Sequence, residues 1–349
     1  MPSIAKPVAV HPSLHKNKLG LNLRDYEGSM STLCAGCGHD SVTAALIRAL
    51  WELSIPPHMI AKLSGIGCSS KTPTYFVSGA HGFNSAHGRM APIATGASAA
   101  NRELTYIGIS GDGDSLSIGL GHMCHAIRRN VKMVYVIENN GVYGLTKGQF
   151  SASADIGSKS KRGEPNRMSP IDPVFLGLAL GATFIARSFS GDKEQLVPIL
   201  KAAVAHRGFA LVDVISPCVT FNDHNGSTKS YLYTRKNAHA VTEADFVPPA
   251  SEILATIGQN GATHVTMHDG SVVRFTAVPK DYDPTDRQKV TTFLQERSGE
   301  IVTGLLYVDE SVADLHEMNQ TPQSALARVP YQKLCPGVRA LDELQEEFR

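Results

Sequence analysis

The chain has 349 residues and a formal net charge of +1, with 33 basic and 32 acidic side chains. Hydrophobic residues make up 42% of it, enough to bury a sizeable core in one large or two ordinary domains. The balanced charge gives no indication of a basic surface that would bind nucleic acid or an anionic membrane. No apolar stretch of about 18 residues occurs, so we expect neither a signal peptide nor a membrane span. Six cysteines without a secretion signal indicate a cytoplasmic protein with reduced or metal-bound thiols.

Regular structure is predicted from residue 39 onward, after an irregular arm over residues 1–30. Apolar residues at helical spacing predict a helix over 39–53, with Asp40 capping its start. Further helices are predicted over 115–129, 171–181 and 192–207, and strands over 59–64, 104–110, 132–138, 183–188 and 209–216. Apolar strands that alternate with helices predict an α/β fold, a doubly wound parallel sheet with helices on both faces.

The regularity weakens after about residue 236. Only a strand over 272–278 and a weak helix over 313–329 are predicted there. We therefore expect three parts: an N-terminal arm (1–30), a main domain (31–235) and a C-terminal extension (236–349).

Two glycine-rich stretches each follow a predicted buried strand: GDGDSLS (111–117) and ENNGVYGLT (138–146). Ligands of open parallel sheets bind beyond the carboxyl ends of the strands, which brings the two stretches to one edge. The glycines allow a tight turn into a helix whose free N–H groups can bind an anion. Asp112 and Asn140 offer the oxygen ligands that Mg²⁺ prefers.

A lone GDG turn is common after strands, but GDG followed by NN at this spacing resembles the thiamine-diphosphate fingerprint. The resemblance implies a Mg²⁺ ion held by Asp112, Asn140 and the backbone carbonyl of Val142. It also implies that the diphosphate is lined by Gly113, Asp114, Gly144 and Leu145.

The cysteines raise a separate question. Cys34 and Cys37 form a C-x-x-C pair, while Cys68 and Cys218 each follow a predicted strand. The remaining two are interpreted as core or incidental cysteines, namely Cys124 and Cys335. Four thiolates suit tetrahedral zinc or a cubane iron–sulfur cluster, and the cysteine pattern alone leaves both open. A thioredoxin-like dithiol is disfavoured because the region before the pair is irregular. The neighbouring thiamine motif favours the cluster.

Six motifs occur in a fixed order: CAGCGHD, SGIGCSSK, AHGRMAPIATG, GDGDSLSIG, RRNVKMVYVIENNGVYGLTKGQ and SPCVTFN. Together they resemble the β subunit of two-subunit 2-oxoacid:ferredoxin oxidoreductases over roughly residues 30–225. The remaining C-terminal residues match no motif, and their length makes the chain more similar to the 2-oxoglutarate type than to the shorter pyruvate type. Ala35 and Ala152 stand where the family often has proline, and neither is a predicted ligand.

The resemblance implies particular roles for the matching residues. A [4Fe–4S] cluster would be bound by Cys34, Cys37, Cys68 and Cys218. Thiamine diphosphate would be bordered by Ile66, Gly67, Cys68, Ser69 and His87. Lys71 would face the carboxylate of the 2-oxoacid, with Lys71 and His87 as the catalytic candidates, and Lys147 would reach the distal end of the substrate. Without the motifs, a surface lysine or a turn histidine is the ordinary interpretation of these residues.

The implied reaction is the CoA-dependent oxidative decarboxylation of a 2-oxoacid with reduction of ferredoxin, which can run in reverse; 2-oxoglutarate is the expected substrate. The alternatives are a pyruvate or broad-specificity enzyme, a cluster-free thiamine enzyme subunit with structural zinc, and a non-enzymatic electron-transfer subunit. Only one thiamine module is recognised. We therefore expect an α subunit to supply the pyrimidine-side glutamate and the CoA site in an αβ or (αβ)₂ assembly, and the chain alone to be inactive.

Overall fold

The computed structural model describes residues 11, 13–159, 163–247, 262–266, 272–277 and 282–348. The strands are, in chain order, β1 (Ile60–Ser64), β2 (His81–Asn84), β3 (Thr105–Gly111), β4 (Met133–Asn139), β5 (Val142–Tyr143), β6 (Gln149–Phe150), β7 (Phe184–Phe189), β8 (Phe209–Ile215), β9 (Ala238–Ala240), β10 (Thr242–Val247), β11 (Ala262–Thr266), β12 (Val272–Ala277) and β13 (Ile301–Val308). The helices are α1 (Gly38–Glu52), α2 (Thr72–Tyr75), α3 (Met90–Ala100), α4 (Leu120–Arg128), α5 (Pro173–Leu180), α6 (Lys193–Ala205), α7 (Tyr231–Asn237), α8 (Arg287–Glu296), α9 (Leu315–Met318), α10 (Tyr331–Leu334) and α11 (Val338–Glu346).

The main sheet has the strand order β2-β1-β3-β4-β8-β7-β13-β9. The strands from β2 to β7 pair in parallel. Strand β13 pairs antiparallel with β7, and β9 pairs in parallel with β13. The predicted parallel α/β sheet is therefore confirmed, with a reversed edge. Among the described residues, β10, β12 and β11 form a small antiparallel sheet of their own.

Helices cover both faces of this sheet, which explains why its central strands are apolar along their whole length. Every residue of β4 and β8 is buried. Side chains alternate between two clusters: Val134 and Val136 pack on the side of α1 and α6, whereas Tyr135 and Ile137 pack on the side of α3, α4 and α5.

Each strand and helix predicted between residues 39 and 216 is present, but two details differ. Asp40 does not cap α1; Cys37 is its N-cap residue and Asp40 lies in its first turn. The helix begins earlier because the Gly38 N–H donates to the Pro217 carbonyl at 3.2 Å, which fixes the chain against the loop after β8. The helix predicted over 115–129 is a π-helical turn (Gly113–Ile118) followed by α4.

The chain beyond residue 236 is not separate from the main sheet, since β9 and β13 extend it. The predicted strand at 272–278 is confirmed as β12, with Val278 outside the described residues. The weak helix predicted over 313–329 is only α9 and a 3₁₀ turn, Leu326–Arg328. None of the described helices is long and apolar enough to cross a membrane. The three-part division stays a prediction, and its first ten positions are all outside the described residues.

A partly buried ionic group, with Asp213 buried and the Asp172 side chain 35% exposed, joins the sheet to α5. The Arg187 guanidinium lies 2.8 Å from an Asp213 oxygen and 2.6 Å from an Asp172 oxygen. Asp172 is also the N-cap of α5, where it accepts the Val174 N–H at 2.8 Å. Burial opposes ionisation of Asp172, but Arg187 holds the pKa of this carboxyl below its ordinary value. The resulting stability is present above the unfolded-state pKa and is lost as the pH falls through the lowered one.

We predict that Arg187→Met lowers the free energy of unfolding by about 3–5 kcal/mol, because two carboxylates lose their buried counter-ion. Urea unfolding at neutral pH measures this. The matched control is Arg48→Met, since Arg48 pairs with Glu52 at the surface and such pairs contribute about 0.3–0.5 kcal/mol. A loss for Arg187→Met no larger than that of the control would contradict the prediction.

Candidate functional site

The sequence motifs meet at one edge of the main sheet. Strands β1, β3, β4 and β8 are neighbours in the sheet and run in the same direction, so that their carboxyl ends lie side by side. The loops that follow them are 65–71, 112–119, 140–150 and 216–222. The C-x-x-C pair joins this edge because the N-terminus of α1 is fixed to the loop after β8.

The turn after β3 requires glycine at position 113. The Gly113 carbonyl accepts a hydrogen bond from the Tyr143 hydroxyl at 2.8 Å. A Cβ atom at Gly113 would lie 2.5 Å from the Tyr143 ring, a distance that real side chains do not reach. This close approach fixes the GDG turn against the loop after β4.

Asp112 is the buried centre of this edge. One carboxylate oxygen accepts the Asn140 N–H at 3.2 Å, and the other accepts the Gly141 N–H at 3.0 Å. The second oxygen also accepts the Ser153 hydroxyl at 2.6 Å and the Ser151 hydroxyl. Burial raises the pKa of Asp112, and these hydrogen bonds act in the opposite direction by favouring the carboxylate.

Sequence reasoning missed the two serines. They lie in the loop after β6, and the only signal was a pair of hydroxyl residues close behind the NNG stretch. The Ser153 hydroxyl also lies 2.9 Å from the Asn139 side-chain oxygen, so that Asp112 and Asn139 share its single hydrogen, and the Asn139 amide N–H donates to Asp213 at 3.0 Å. A continuous buried chain of hydrogen bonds therefore runs from Asp112 to the Arg187 ionic group.

The other predicted magnesium and diphosphate residues surround Asp112. The Asn140 side-chain oxygen accepts the Val142 N–H at 3.0 Å. Asp114 is buried, and its oxygens accept the Gly88 N–H at 2.6 Å and the Ser110 hydroxyl at 2.9 Å. The Asp114 carboxylate thus joins two loops, which leaves its backbone for any contact with a diphosphate. Leu145 is half-exposed at the rim.

The four motif cysteines gather next to Gly144 in the loop after β4. A Cβ atom at Gly144 would lie 3.4 Å from the Cys68 sulfur and 3.5 Å from the Cys218 sulfur. The Thr220 hydroxyl lies 3.5 Å from the Cys34 sulfur, which ties the C-x-x-C turn to the Cys218 loop. Any side chain at position 144 would occupy the space between two sulfurs.

The thiols are close enough to influence one another. Burial raises the pKa of Cys37 to about 12, and the Cys218 and Cys68 thiols act in the same direction. Burial also raises the pKa of Cys68, with Cys218 as the next cause. Among the described residues, no three His, Cys, Asp or Glu side chains converge closely enough for a single metal ion.

A buried polar group lies beneath the cysteines and was not anticipated from the sequence. Glu138, next to the Asn-Asn pair, accepts the Thr72 hydroxyl at 3.0 Å and lies 3.6 Å from His39. His39 in turn hydrogen-bonds to the Ser216 hydroxyl at 2.6 Å. Burial raises the pKa of Glu138 well above its ordinary value and lowers the pKa of His39 to about 4. Burial therefore favours the uncharged form of both side chains, and the pair joins three motif loops.

The loop after β1 carries the remaining thiamine candidates. The Ile66 carbonyl accepts the Ser69 hydroxyl at 3.0 Å, and Gly67 has a φ of +86°. Lys71 ends the 3₁₀ turn that follows Cys68. Two further candidates are exposed on neighbouring loops, His87 and Lys147. All of the predicted residues thus belong to loops at one edge, with the lysines and His87 at its periphery.

Comparison with known proteins agrees with this geometry. The family model "Thiamine pyrophosphate enzyme, C-terminal TPP binding domain" matches residues 65–214. The chain is 43% identical over 203 residues to the "2-oxoacid:ferredoxin oxidoreductase subunit beta" of Saccharolobus solfataricus, covering 58% of this chain and 66% of that one. It is 34% identical over 189 residues to the "2-oxoglutarate synthase subunit KorB" of Methanocaldococcus jannaschii, covering 54% and 69%.

A solved structure extends the similarity to most of the chain. It is the 2-oxoglutarate:ferredoxin oxidoreductase from Magnetococcus marinus with 2-oxoglutarate, coenzyme A and succinyl-CoA bound. The TM-score is 0.71 and the identity 30%, over 89% of this chain and 92% of that chain. By sequence, however, the chain spans only about half to two thirds of its curated relatives, from 51% for the Mycobacterium tuberculosis protein to 69% for the M. jannaschii one.

The fold and the site edge thus define a thiamine-diphosphate-binding module of the thiamine pyrophosphate enzymes. Within that class, the chain belongs to the family of β subunits of 2-oxoacid:ferredoxin oxidoreductases.

Proposed function

We propose that this chain is the β subunit of an enzyme that oxidatively decarboxylates a 2-oxoacid, 2-oxoglutarate first, to the acyl-CoA and CO₂ with reduction of ferredoxin. One observation carries the proposal: the Asp112–Asn140 site and the four cysteines adjoin the same loop, residues 140–150, through Asn140 and Gly144. A thiamine group held at the first site is then close to an electron acceptor held at the second.

The residues around Asp112 fit a magnesium diphosphate. Asp112 and Asn140 present a carboxylate and an amide oxygen beside each other, with the Val142 carbonyl two residues further on. The glycine at 113 lets the turn pack closely against Tyr143, and the N-terminus of the π-helical turn offers N–H groups to the diphosphate. Bound thiamine diphosphate supplies the carbanion chemistry of decarboxylation. The protein contributes its orientation between the Ile66–Ser69 loop and the Leu145 rim.

The cysteine group fits a [4Fe–4S] cluster. Its four thiols come from three loops, and the glycine at position 144 leaves room between the Cys68 and Cys218 sulfurs. Cys68 belongs to the same short loop as the predicted thiamine contacts Ile66 and Gly67, so one end of the cysteine group adjoins the thiamine side. Cys34 is exposed at the other end, where a ferredoxin could approach. Structural zinc in the same thiolates is the alternative, and it is disfavoured because no three of the described His, Cys, Asp or Glu side chains converge on a site for a single ion.

Substrate recognition is assigned to charged residues at the periphery. Lys71, one turn past Cys68, would bind the carboxylate next to the keto group, with His87 contacting the thiamine. Lys147, exposed on the loop between β5 and β6, would bind the distal carboxylate of 2-oxoglutarate. A pyruvate or broad-specificity enzyme would not need this second cation.

The active site needs a second subunit. The family model covers one thiamine-binding domain, and the glutamate that activates the thiamine aminopyrimidine is expected from an α subunit, which would also provide the CoA site. We expect the co-purified α–β complex to reduce ferredoxin with 2-oxoglutarate and CoA, and the chain alone to be inactive. Turnover by the isolated chain, or none by the complex with any 2-oxoacid, would contradict the proposal.

We predict that Ser153→Ala weakens magnesium binding about tenfold, because a charge-assisted hydrogen bond to Asp112 contributes about 1.5–3 kcal/mol. Electron paramagnetic resonance of Mn²⁺, titrated into the complex as a substitute for Mg²⁺, measures the affinity. Ser153→Thr keeps the hydroxyl and is therefore expected to retain the wild-type Mn²⁺ affinity. Equal Mn²⁺ affinity for the alanine variant and the wild type would show that Ser153 does not support the metal site.

We predict that Lys147→Ala lowers kcat/KM for 2-oxoglutarate by at least tenfold more than for pyruvate, because only the former has a distal carboxylate. Steady-state assays of the α–β complex with both substrates measure the ratio. Lys159→Ala, a change at a lysine of the neighbouring loop that no motif includes, is the control. Equal losses on the two substrates would exclude Lys147 as the specificity residue.

A further inference from the structure

A cavity of about 680 Å³ opens beside the loop that carries Cys68 and Lys71. Its walls come from β1 and β2, from residues 70–80 and from the arm at residues 29–32. We call it the Lys62 cavity. Its volume is within the range of small-molecule sites, about 300–1,000 Å³, and Lys71 makes it contiguous with the candidate active site.

The lining of the Lys62 cavity is basic and rich in hydroxyl groups. Two lysines contribute to it, Lys62 and Lys71, and none of the described residues that line it is acidic. Its uncharged polar lining includes Ser29, Thr32, Ser64, Ser70, Thr74 and Asn84. Hydroxyl and amide groups next to cations are the donors that recognise carboxylates and phosphates.

Lys62 is the unusual member of this lining. It is only 7% exposed, in the middle of β1. Its ammonium donates to the Phe76 carbonyl at 2.7 Å and the Val77 carbonyl at 2.8 Å, and it lies 5.2 Å from the centre of the Phe76 ring. These partners use two of its three hydrogens. No carboxylate of a described residue pairs with it, and burial lowers its pKa to about 8.

A buried ammonium without a counter-ion is costly, and proteins keep such a charge where an anion compensates it. The two carbonyl contacts explain how Lys62 is held in place. They do not explain a positive charge, since an uncharged donor could make the same bonds. A second lysine, Lys71, lines the same cavity, and none of the described lining residues is acidic, which identifies the missing partner as an anion from outside the chain.

We propose that the Lys62 cavity binds an anionic group of a substrate, a carboxylate or a phosphate, at Lys62, while Lys71 remains the partner of the carboxylate next to the keto group. The proposal rests on the proposed function, which offers two sources of this chemistry: the distal carboxylate of a dicarboxylic 2-oxoacid and the phosphates of CoA. If the carboxylate is the ligand, Lys62 acts together with Lys147 in setting the preference for dicarboxylic substrates.

The test is calorimetric binding to the α–β complex with magnesium thiamine diphosphate. Glutarate and butyrate are each titrated into the complex and their affinities are compared, and CoA and pantetheine are compared in the same way. The two members of each pair differ in their anionic groups. Lys62→Met is expected to weaken the binding of glutarate or of CoA at least tenfold. The affinity for the matching compound that lacks the anionic group, butyrate or pantetheine, is expected to change by less than twofold. The ligand that responds identifies the source.

A second variant keeps the test decisive if Lys62→Met does not fold. Ser78 lines the cavity and is exposed, so Ser78→Asp places a carboxylate in the cavity without disturbing the core. Ser78→Asp is expected to weaken the binding of the same ligand at least fivefold. Ser78→Asn, which introduces an uncharged side chain of the same shape as Asp, is expected to have no such effect. Unchanged glutarate and CoA affinities in the folded variants would overturn the proposal. A wild-type complex that oxidises no 2-oxoacid would overturn the proposed function instead, because binding is measured without turnover.

Discussion

The organisation of this edge depends on one buried carboxylate, that of Asp112. It accepts backbone N–H groups from the loop after β4 and hydroxyl groups from the loop after β6, so that three separate segments converge on a single side chain. A buried carboxylate persists only when its oxygens are fully hydrogen-bonded. The hydrogen bonds to Asp112 hold Asn140 beside it, and Gly144 of the same loop lies next to the cysteines. Through Ser153 and Asn139, the hydrogen-bond network extends to the Arg187 ionic group.

The electrostatics of the edge are arranged in regions of different character. Around Asp112 a carboxylate and an amide oxygen are held by hydrogen bonds, and these are the ligands that a hard cation prefers. Beneath the cysteines, burial raises the pKa of Glu138 and lowers that of His39, which favours the uncharged form of each. Towards β2 the lining is positive, with Lys62 and Lys71. This division suits a reaction in which a cofactor, an electron acceptor and an anionic substrate must occupy adjacent places.

The sequence was sufficient for features that are local. Strands such as β4 and β8 are buried on both faces and therefore read as continuous apolar runs. The GDG and NN motifs could be placed because the ends of parallel strands share an edge. Partners set by tertiary contact could not be predicted: the serines on Asp112, the Thr72–Glu138–His39 group, and strand β13, whose pairing with β7 no local pattern encodes. The wrong cap of α1 has the same origin, because the Pro217 carbonyl that fixes its first turn lies far along the chain.

The central claim is that Cys34, Cys37, Cys68 and Cys218 hold an iron–sulfur cluster beside a magnesium thiamine diphosphate. The most direct test is the metal and cofactor content of the α–β complex purified without oxygen. For each copy of this chain the account predicts about four irons, as the [4Fe–4S] formula requires, together with one thiamine diphosphate. Cys218→Ser should lose the iron, whereas Cys124→Ser, outside the group, should keep it. Zinc in place of iron, or iron that survives the loss of Cys218, would contradict the account.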